Sequence, residues 1–224
     1  MSNKAPTVVE FFKRFPDDES CLVHLWETRF GKDAACPKCG EVGQFKRLAK
    51  LPAWTCNCGH HIHPMVGTPF EQSRTPLQKW FYAMYLFTTS RHGVPAKELQ
   101  RQLSVTYKTA WRMGHEIRKY MADVDGDPPL SGTVEVDETY VGGRKKGHKG
   151  KQNRKAAVMG MVSRGDDVHI NTIEGYWSRV KNSICGTHVH VSKKHMQKYL
   201  GEFEFRFNRR KQPQAMFDRL LSSF

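Results

Sequence analysis

Residues 131–167 read SGTVEVDETYVGGRKKGHKGKQNRKAAVMGMVSRGDD, and this stretch decides how the C-terminal half is organised. Residues 133–140 alternate in polarity and are rich in β-branched side chains, which predicts a strand. Because side chains along a strand have a period of two, Glu135 and Asp137 share one face and the neighbouring valines share the other. Residues 156–162 form a short apolar run, which predicts a second, buried strand.

The segment between these two strands is strongly basic. Residues 144–155 contain seven Lys or Arg and no acid, which predicts a basic loop. A carboxylate on a strand beside such a loop suits chemistry on polyanions, because Mg²⁺ or Mn²⁺ takes oxygen ligands and paired metals support phosphodiester displacement. An ordinary hairpin with a solvated loop explains the pattern equally well. The DNA-contact candidates in this loop are Arg144, Lys145 and Lys146.

The composition favours a nucleic-acid partner and a cytoplasmic location. The chain has 224 residues, a net charge of +14 and a pI near 9.6, with its cations clustered, which predicts binding to nucleic acid. No apolar run approaches the roughly 20 residues of a membrane-spanning helix, and residues 1–6 have no signal-peptide core. Six cysteines with two close pairs suit metal binding in a reducing compartment better than disulfides.

The N-terminal region predicts helices around a metal-binding motif. Residues 7–15 predict a short amphipathic helix, a second helix begins near Asp17 and ends at Gly31 with Cys21 in its core stripe, and residues 77–88 predict a buried helix.

Two cysteine pairs, separated by sixteen residues, predict a tetrahedral Zn²⁺ site in a small β-rich subdomain: Cys36 with Cys39, and Cys56 with Cys58. The second pair is one residue shorter than the usual C-x-x-C. Three nearby histidines are alternative ligands in place of Cys56 or Cys58: His60, His61 and His63.

A candidate helix-turn-helix follows. Residues 95–103 predict one helix, residues 104–106 the turn, and residues 106–121 a second, cationic helix of the kind that enters the major groove. A generic helical pair explains the pattern nearly as well. The DNA-contact candidates on the second helix are Tyr107, Lys108, Arg112 and Lys119.

The C-terminal part predicts two further helices. Residues 171–181 predict a helix that carries Glu174 and Lys181, and residues 193–210 predict a long helix whose end carries Arg209 and Arg210 as phosphate-contact candidates. Three histidines between or within these helices lack ligand spacing and are expected to be solvated or hydrogen-bonded: His188, His190 and His195.

Together these pieces resemble the bacterial insertion-sequence transposases that join an N-terminal zinc ribbon to a DDE-type, ribonuclease H-like catalytic domain. Besides the cysteine pairs, the matching motifs are PMVGTPF (64–70), WFYAMYL (80–86), VDETYVGGR (136–144), VMGMV (158–162), NTIEGYWSRVK (171–181) and the EFxFRFNRR segment (202–210). The resemblance covers nearly the whole chain.

The resemblance implies cleavage and strand transfer at the double-stranded terminal repeats of an insertion sequence. Two Mg²⁺ or Mn²⁺ ions, held by acidic residues, would activate water and then a DNA 3′-hydroxyl. Asp137 corresponds to the first acid of the family, Asn171 or Glu174 to the third position, and Lys181 to the basic residue seven beyond Glu174. A homo-oligomer is a further possible partner, and no membrane partner is expected because the sequence has no spanning apolar run.

One departure from the family pattern bears on activity. Only residues 163–170 separate the second strand from the helix at 171, whereas a parallel crossover alone needs a dozen or more residues. The middle of the catalytic domain, with its second acid, is therefore expected to be missing. Asp166 and Asp167 lie in this gap but match the acidic position just before the helix, and they are not expected to replace that acid.

We therefore expect an α+β protein in which a zinc ribbon and a helical, helix-turn-helix region precede a truncated ribonuclease H-like core. The expected boundaries are 1–70 for helices and ribbon, 71–123 for the DNA-binding helices (helix-turn-helix at 95–121), 124–130 for a linker and 131–224 for the core. The expected function is that of a transposase-family DNA-binding protein with impaired catalysis. The alternative is a non-catalytic zinc-ribbon and helix-turn-helix DNA-binding protein or regulator.

Overall fold

A computed structural model describes residues 5–126, 129–141, 156–163 and 172–224. The chain divides into two compact units, Met1–Thr89 with Lys211–Phe224, and Ser90–Arg210. Helices and small antiparallel sheets make up the described parts of both units, so the α+β class is confirmed. The predicted domain boundaries at residues 70, 123 and 131 stay predictions. Within the described ranges, no helix has the length and apolar character needed to cross a bilayer.

The first unit combines helices with a three-stranded sheet. Its described elements are α1 (Val8–Arg14), α2 (Asp18–Phe30), β1 (Phe45–Arg47), β2 (Trp54–Cys56), β3 (His61–Ile62), α3 (Leu77–Thr89) and α8 (Pro213–Leu221). Strand β2 pairs antiparallel with both β1 and β3. Helix α8, which has no counterpart among the predicted helices, packs on α3.

The predicted helices α1 and α2 both form, and both begin with side-chain caps. Thr7 and Glu10 form a capping box at the start of α1, and Asp17 caps α2 by accepting the N–H of Ser20 at 2.8 Å. Helix α2 ends at Gly31, whose φ of 71° few other residues adopt. The side chains of Thr7 and Asp17 thus satisfy backbone N–H groups that a helix leaves unpaired at its N-terminus.

The small sheet is attached to α2 through aromatic rings. Trp54 of β2 stacks on Trp26 of α2 with ring centroids 4.6 Å apart and planes 9° apart, and Phe45 of β1 lies 5.3 Å from the same ring. Trp26 and Trp54 are both buried. The metal-binding motif is therefore held against a helix by apolar packing.

The second unit contains, in its described part, α4 (Ala96–Leu103), α5 (Tyr107–Asp125), β4 (Val134–Val141), β5 (Ala156–Ser163), α6 (Thr172–Asn182) and α7 (Met196–Asn208). A π-helical turn covers Ser183–His188 and a 3₁₀ turn covers Lys193–His195. Helix α5 packs against α4 and α7. Gly201 of α7 allows this approach, because a Cβ there would overlap that of Ala122.

Strands β4 and β5 form an antiparallel pair with α6 packed on one face. The prediction of a buried second strand is wrong. Met159 and Met161 of β5 are 70% and 58% exposed, because they alternate with the residues that face α6. Val136 of β4, which lies opposite Met161, is also exposed.

Candidate metal centre and nucleic-acid interface

Four thiols converge beside the three-stranded sheet. The Sγ atoms of Cys36, Cys39, Cys56 and Cys58 all lie within 4.8 Å of one another. The Sγ atoms of Cys36 and Cys58 are 3.7 Å apart, and those of Cys39 and Cys56 are 3.6 Å apart. A tetrahedral zinc with Zn–S bonds near 2.3 Å requires S···S separations of about 3.8 Å. The cluster therefore fits Zn²⁺, which would use all four positions and stabilise the subdomain without binding substrate.

Each cysteine pair is closed by a turn that ends at a glycine. The N–H of Gly40 donates to the carbonyl of Cys36 at 2.8 Å, and the N–H of Gly59 donates to the carbonyl of Cys56 at 2.9 Å. Both glycines have positive φ, 75° and 82°. The first hydrogen bond spans four positions and the second spans three, so the shorter spacing of Cys56 and Cys58 is matched by a turn that is one residue tighter.

The other candidate ligands do not belong to this cluster. In the described part of the chain, the group contains cysteines only, so none of the three histidines considered as substitutes is a member. Cys21 is buried in the core, as predicted, and burial raises the pKa of its thiol to about 12. Cys185 is exposed on the π-helical turn.

Asp137 lies on the face of β4 that α6 covers. Its side chain is half-buried, and its cross-strand partner on β5 is Gly160. Glu135, two residues earlier on the same face, accepts the N–H of Ile173 at 3.2 Å. A carboxylate at a helix N-terminus is favourable because it meets unpaired N–H groups and the positive end of the dipole. Glu135 thus attaches the start of α6 to the strand that carries Asp137.

The remaining predicted catalytic residues belong to α6 or lie just before it. Glu174 is exposed in the first turn of α6 and Lys181 is exposed near its end, about two turns later. Asn171, Asp166 and Asp167 lie outside the described residues. Within the described ranges, the four cysteines are the only group of three or more His, Cys, Asp or Glu side chains arranged to hold a metal.

Trp177 of α6 packs on the sheet beside the candidate acid. A Cβ built on Gly160 would lie 2.6 Å from Cζ2 of Trp177, so the ring occupies the space that a side chain would need. The indole Nε1 is buried and has no hydrogen-bond partner among the described residues. Sequence reasoning did not single out Trp177 or Gly160 as site residues, because neither carries a charge or a metal-ligand atom.

The four predicted DNA-contact residues on α5 are exposed: Tyr107, Lys108, Arg112 and Lys119. The opposite side of α5 is buried through Ala110, Met113 and Ile117. The preceding turn bends at Ser104, which has a φ of 49°. Trp111, which was not among the predicted site residues, is exposed on the same part of α5.

The two predicted arginines at the end of α7 have different surroundings. Arg209 forms an ion pair with Asp125 of α5, and its guanidinium lies 4.4 Å from the ring centre of Phe205. Arg210 lies 3.9 Å from the ring centre of Phe207, and Arg179 of α6 approaches the same ring at 5.8 Å. Burial lowers the pKa of Arg210, and the neighbouring Arg179 adds to this effect.

The remaining candidates are the basic loop and the C-terminal histidines. Arg144, Lys145 and Lys146 lie outside the described residues. The histidines contribute to no cluster of three or more potential ligands within the described ranges. Instead, His195 packs against His115 of α5 with ring centroids 4.6 Å apart. Nε2 of His188 is buried without a hydrogen-bond partner in the described part of the chain.

Comparison with known proteins agrees with the transposase-like motifs. Residues 164–208 match the ISXO2-like transposase domain family. The resemblance to insertion-sequence transposases is confirmed. A curated relative is an uncharacterized protein in transposable element ISH50 of Halobacterium salinarum, 28% identical over 158 residues. The alignment covers 68% of this chain but 51% of the relative, so the chain spans about half the relative's length. No solved structure matches the chain.

Proposed function

We propose that this protein binds the double-stranded terminal repeats of an insertion sequence and is impaired in cutting them. The net charge of +14 supports a polyanionic partner, and the similarity to a protein of a transposable element supports an insertion-sequence origin. The observation that carries DNA binding is the exposed cationic face at the start of α5.

Helices α4 and α5 would act as a helix-turn-helix. Leu99 and Leu103 of α4 are buried, and α4 packs against α5, while Lys108 and Arg112 at the start of α5 stay exposed. In this motif the N-terminal part of the second helix enters the major groove. Lys108 and Arg112 would then contact phosphates or base edges, and Lys119, further along the helix, would contact the backbone.

The zinc ribbon would contribute fold rather than chemistry. A closed site of four thiolates leaves no coordination position for water or substrate. Its Zn²⁺ would hold β1, β2 and β3 together and so present the basic side chains of this subdomain in a defined arrangement.

The C-terminal half would be a shortened ribonuclease H-like core. An antiparallel strand pair followed by a helix packed on the face that carries Asp137 supports this assignment. Asp137, with Asn171 or Glu174, would hold Mg²⁺ or Mn²⁺, and Lys181 would contact DNA. Such ions activate an attacking hydroxyl and stabilise a leaving oxygen. Because only residues 163–170 separate the second strand from the helix at 171, too few for a parallel crossover, the segment that would carry a further acid is missing and a complete two-metal site is not expected.

A non-catalytic regulator that binds DNA through the ribbon and α5 is the alternative, and the same exposed face of α5 favours it. The two functions differ in the DNA sequence bound, since the first requires preference for terminal repeats. A homo-oligomer is compatible with both functions, because an insertion sequence has two ends and therefore presents two copies of the terminal repeat.

The binding proposal is tested by measuring duplex affinity as a function of salt. We expect log K to fall linearly with log salt, and the combined change Lys108→Ala and Lys119→Ala to reduce the slope by about 0.9 for each phosphate that the variant no longer neutralises. The matched control is Lys13→Ala, an exposed lysine on α1. Unchanged slopes in the α5 variant, or an equal reduction in the control, would contradict a specific role for α5.

A further inference from the structure

Trp111 differs from the other tryptophans of the chain in its exposure. Its side chain is 39% exposed, whereas Trp26, Trp54, Trp80 and Trp177 are at most 7% exposed. The chain contains five tryptophans, so all of them are described. A single partly exposed ring is ordinary on a protein surface, so the significance of Trp111 depends on what lies beside it.

A second exposed aromatic ring lies one turn earlier on the same helix face. Tyr107 is 46% exposed and is separated from Trp111 by four residues, the spacing that makes helical side chains neighbours. The ammonium of Lys97 on α4 lies 5.0 Å from the Tyr107 ring centre. The two rings therefore form a short aromatic surface with a cation at one end.

The inner side of Trp111 is held by two histidines. Its ring centre lies 4.0 Å from that of His115 and 5.4 Å from that of His195, in tilted and edge-on geometries. These contacts restrict the indole while more than a third of the residue stays exposed. A restricted ring loses little entropy when a flat ligand stacks on it.

The charge around these rings indicates what would cover them. From Tyr107 to His115, α5 carries Lys108 and Arg112 and no acidic residue; the first carboxylate on the helix is that of Glu116. A hydrophobic protein partner does not require such a cationic border, whereas a nucleic acid offers planar bases and phosphates together. Aromatic rings with nearby Lys and Arg are the usual means of binding unpaired nucleotides.

We propose that Tyr107 and Trp111 form a stacking surface for unpaired DNA bases, with Lys97 and Lys108 contacting the adjoining phosphates. The proposal rests on the proposed function, since it names a second DNA form bound by the same helix. Base stacking is tolerant of sequence because every base has a π-face. The protein would therefore bind single-stranded DNA in addition to duplex, as at an opened or nicked element end.

The test compares full-length variants on two probes, a single-stranded oligothymidine of about 20 nucleotides and a duplex of equal length. We expect Trp111→Leu and Tyr107→Leu each to weaken oligothymidine binding by roughly fivefold or more. Duplex affinity should change by less than about twofold in Trp111→Leu, because Trp111 is not among the predicted duplex contacts. The matched control is Tyr140→Leu, which removes an exposed aromatic ring from β4 and should leave both affinities unchanged.

Tryptophan fluorescence provides a second readout that a folding defect would not mimic. Oligothymidine should quench the emission of the parent protein, and Trp111→Phe should abolish this quenching while keeping affinity within about threefold, because a phenyl ring still stacks. The inference is overturned if the parent binds duplex but not oligothymidine, or if both leucine variants bind oligothymidine as tightly as the parent does. It is also overturned if Trp111→Leu weakens the binding of both DNA forms equally. A parent that binds neither DNA would instead contradict the proposed function itself.

Discussion

Arg118 and Glu202 form a buried ion pair that joins α5 to α7. Nε of Arg118 lies 2.7 Å from Oε2 of Glu202, and their side chains are 3% and 0% exposed. Arg206 donates to the other carboxylate oxygen at 3.1 Å, and Arg118 also donates to the carbonyl of Val94 at 2.9 Å. One carboxylate therefore compensates two cations beneath the proposed DNA-binding helix.

Removing that carboxylate charge should destabilise the second unit strongly. Glu202→Gln leaves two guanidinium groups without a counter-charge, and breaking a buried pair in this way costs about 3–5 kcal/mol. We expect the second unit to reach its unfolding midpoint at a clearly lower urea concentration. The control is Glu98→Gln, which disrupts the exposed pair with Arg101 and should change the midpoint little. Equal effects of the two substitutions would contradict the structural role of the buried pair.

Two buried histidines should make stability depend on pH. Burial lowers the pKa of His115 and of His188 to about 4, and Arg118 adds to both shifts. Between pH 6.5 and 4 the unfolded chain binds protons at these histidines that the folded protein does not, so stability should fall as pH falls through that window.

Urea midpoints measured from about pH 7 to about pH 4.5 check this dependence. His188→Gln should flatten the curve, while His92→Gln, at an exposed position, should leave it parallel to that of the parent. A parent curve that rises toward low pH, or a His188→Gln curve as steep as the parent's, would contradict burial of a neutral imidazole.

Packing between β5 and α6 should be sensitive to a single methyl group. Gly160→Ala places a Cβ 2.6 Å from the Trp177 ring, so we expect displacement of the ring and lower thermal stability, with a changed near-ultraviolet circular dichroism spectrum. The control is Gly175→Ala, two residues before Trp177 on α6. A Cβ at this position meets nothing within 4 Å, so the substitution should raise stability by up to about 1 kcal/mol. Stability gained at both positions would show that Trp177 does not pack on Gly160.

Removal of zinc should unfold the ribbon. Because the four thiolates would hold the two turns together, chelation should abolish the near-ultraviolet signal of the stacked Trp26 and Trp54. Cys39→Ser should lower the bound zinc measured by a colorimetric assay, whereas Cys185→Ser should leave the zinc content of the parent. Full zinc content in Cys39→Ser would exclude Cys39 as a ligand.

The elements that carry strong local signals could be predicted from sequence. The capping residue Asp17 and the terminating Gly31 indicated the limits of α2. The spacing of the cysteines identified the thiol cluster, although Cys56 and Cys58 are one residue closer in sequence than in the usual C-x-x-C pair. The exposed outer face of β5 could not be predicted, because Met159 and Met161 are apolar and look like core residues in the sequence. Their exposure depends on α6 covering one face of the sheet, which is a tertiary property.

Residues whose role depends on their tertiary surroundings were also missed. Trp111 is a large apolar residue that the sequence alone does not place on the surface. Its partial exposure follows from the tertiary structure, in which His115 covers only part of the ring. Glu202 has the sequence environment of a surface residue on α7, and its burial depends on Arg118, 84 positions earlier.

The central claim is that the acidic site around Asp137 is incomplete, and metal-dependent cleavage of DNA tests it most directly. The substrate is a supercoiled plasmid carrying the terminal repeats of the element, incubated with the full-length protein in Mg²⁺ or Mn²⁺. We predict salt-sensitive binding without nicking, with the same result for Asp137→Asn. Nicking that requires the divalent metal and disappears in Asp137→Asn would contradict the account.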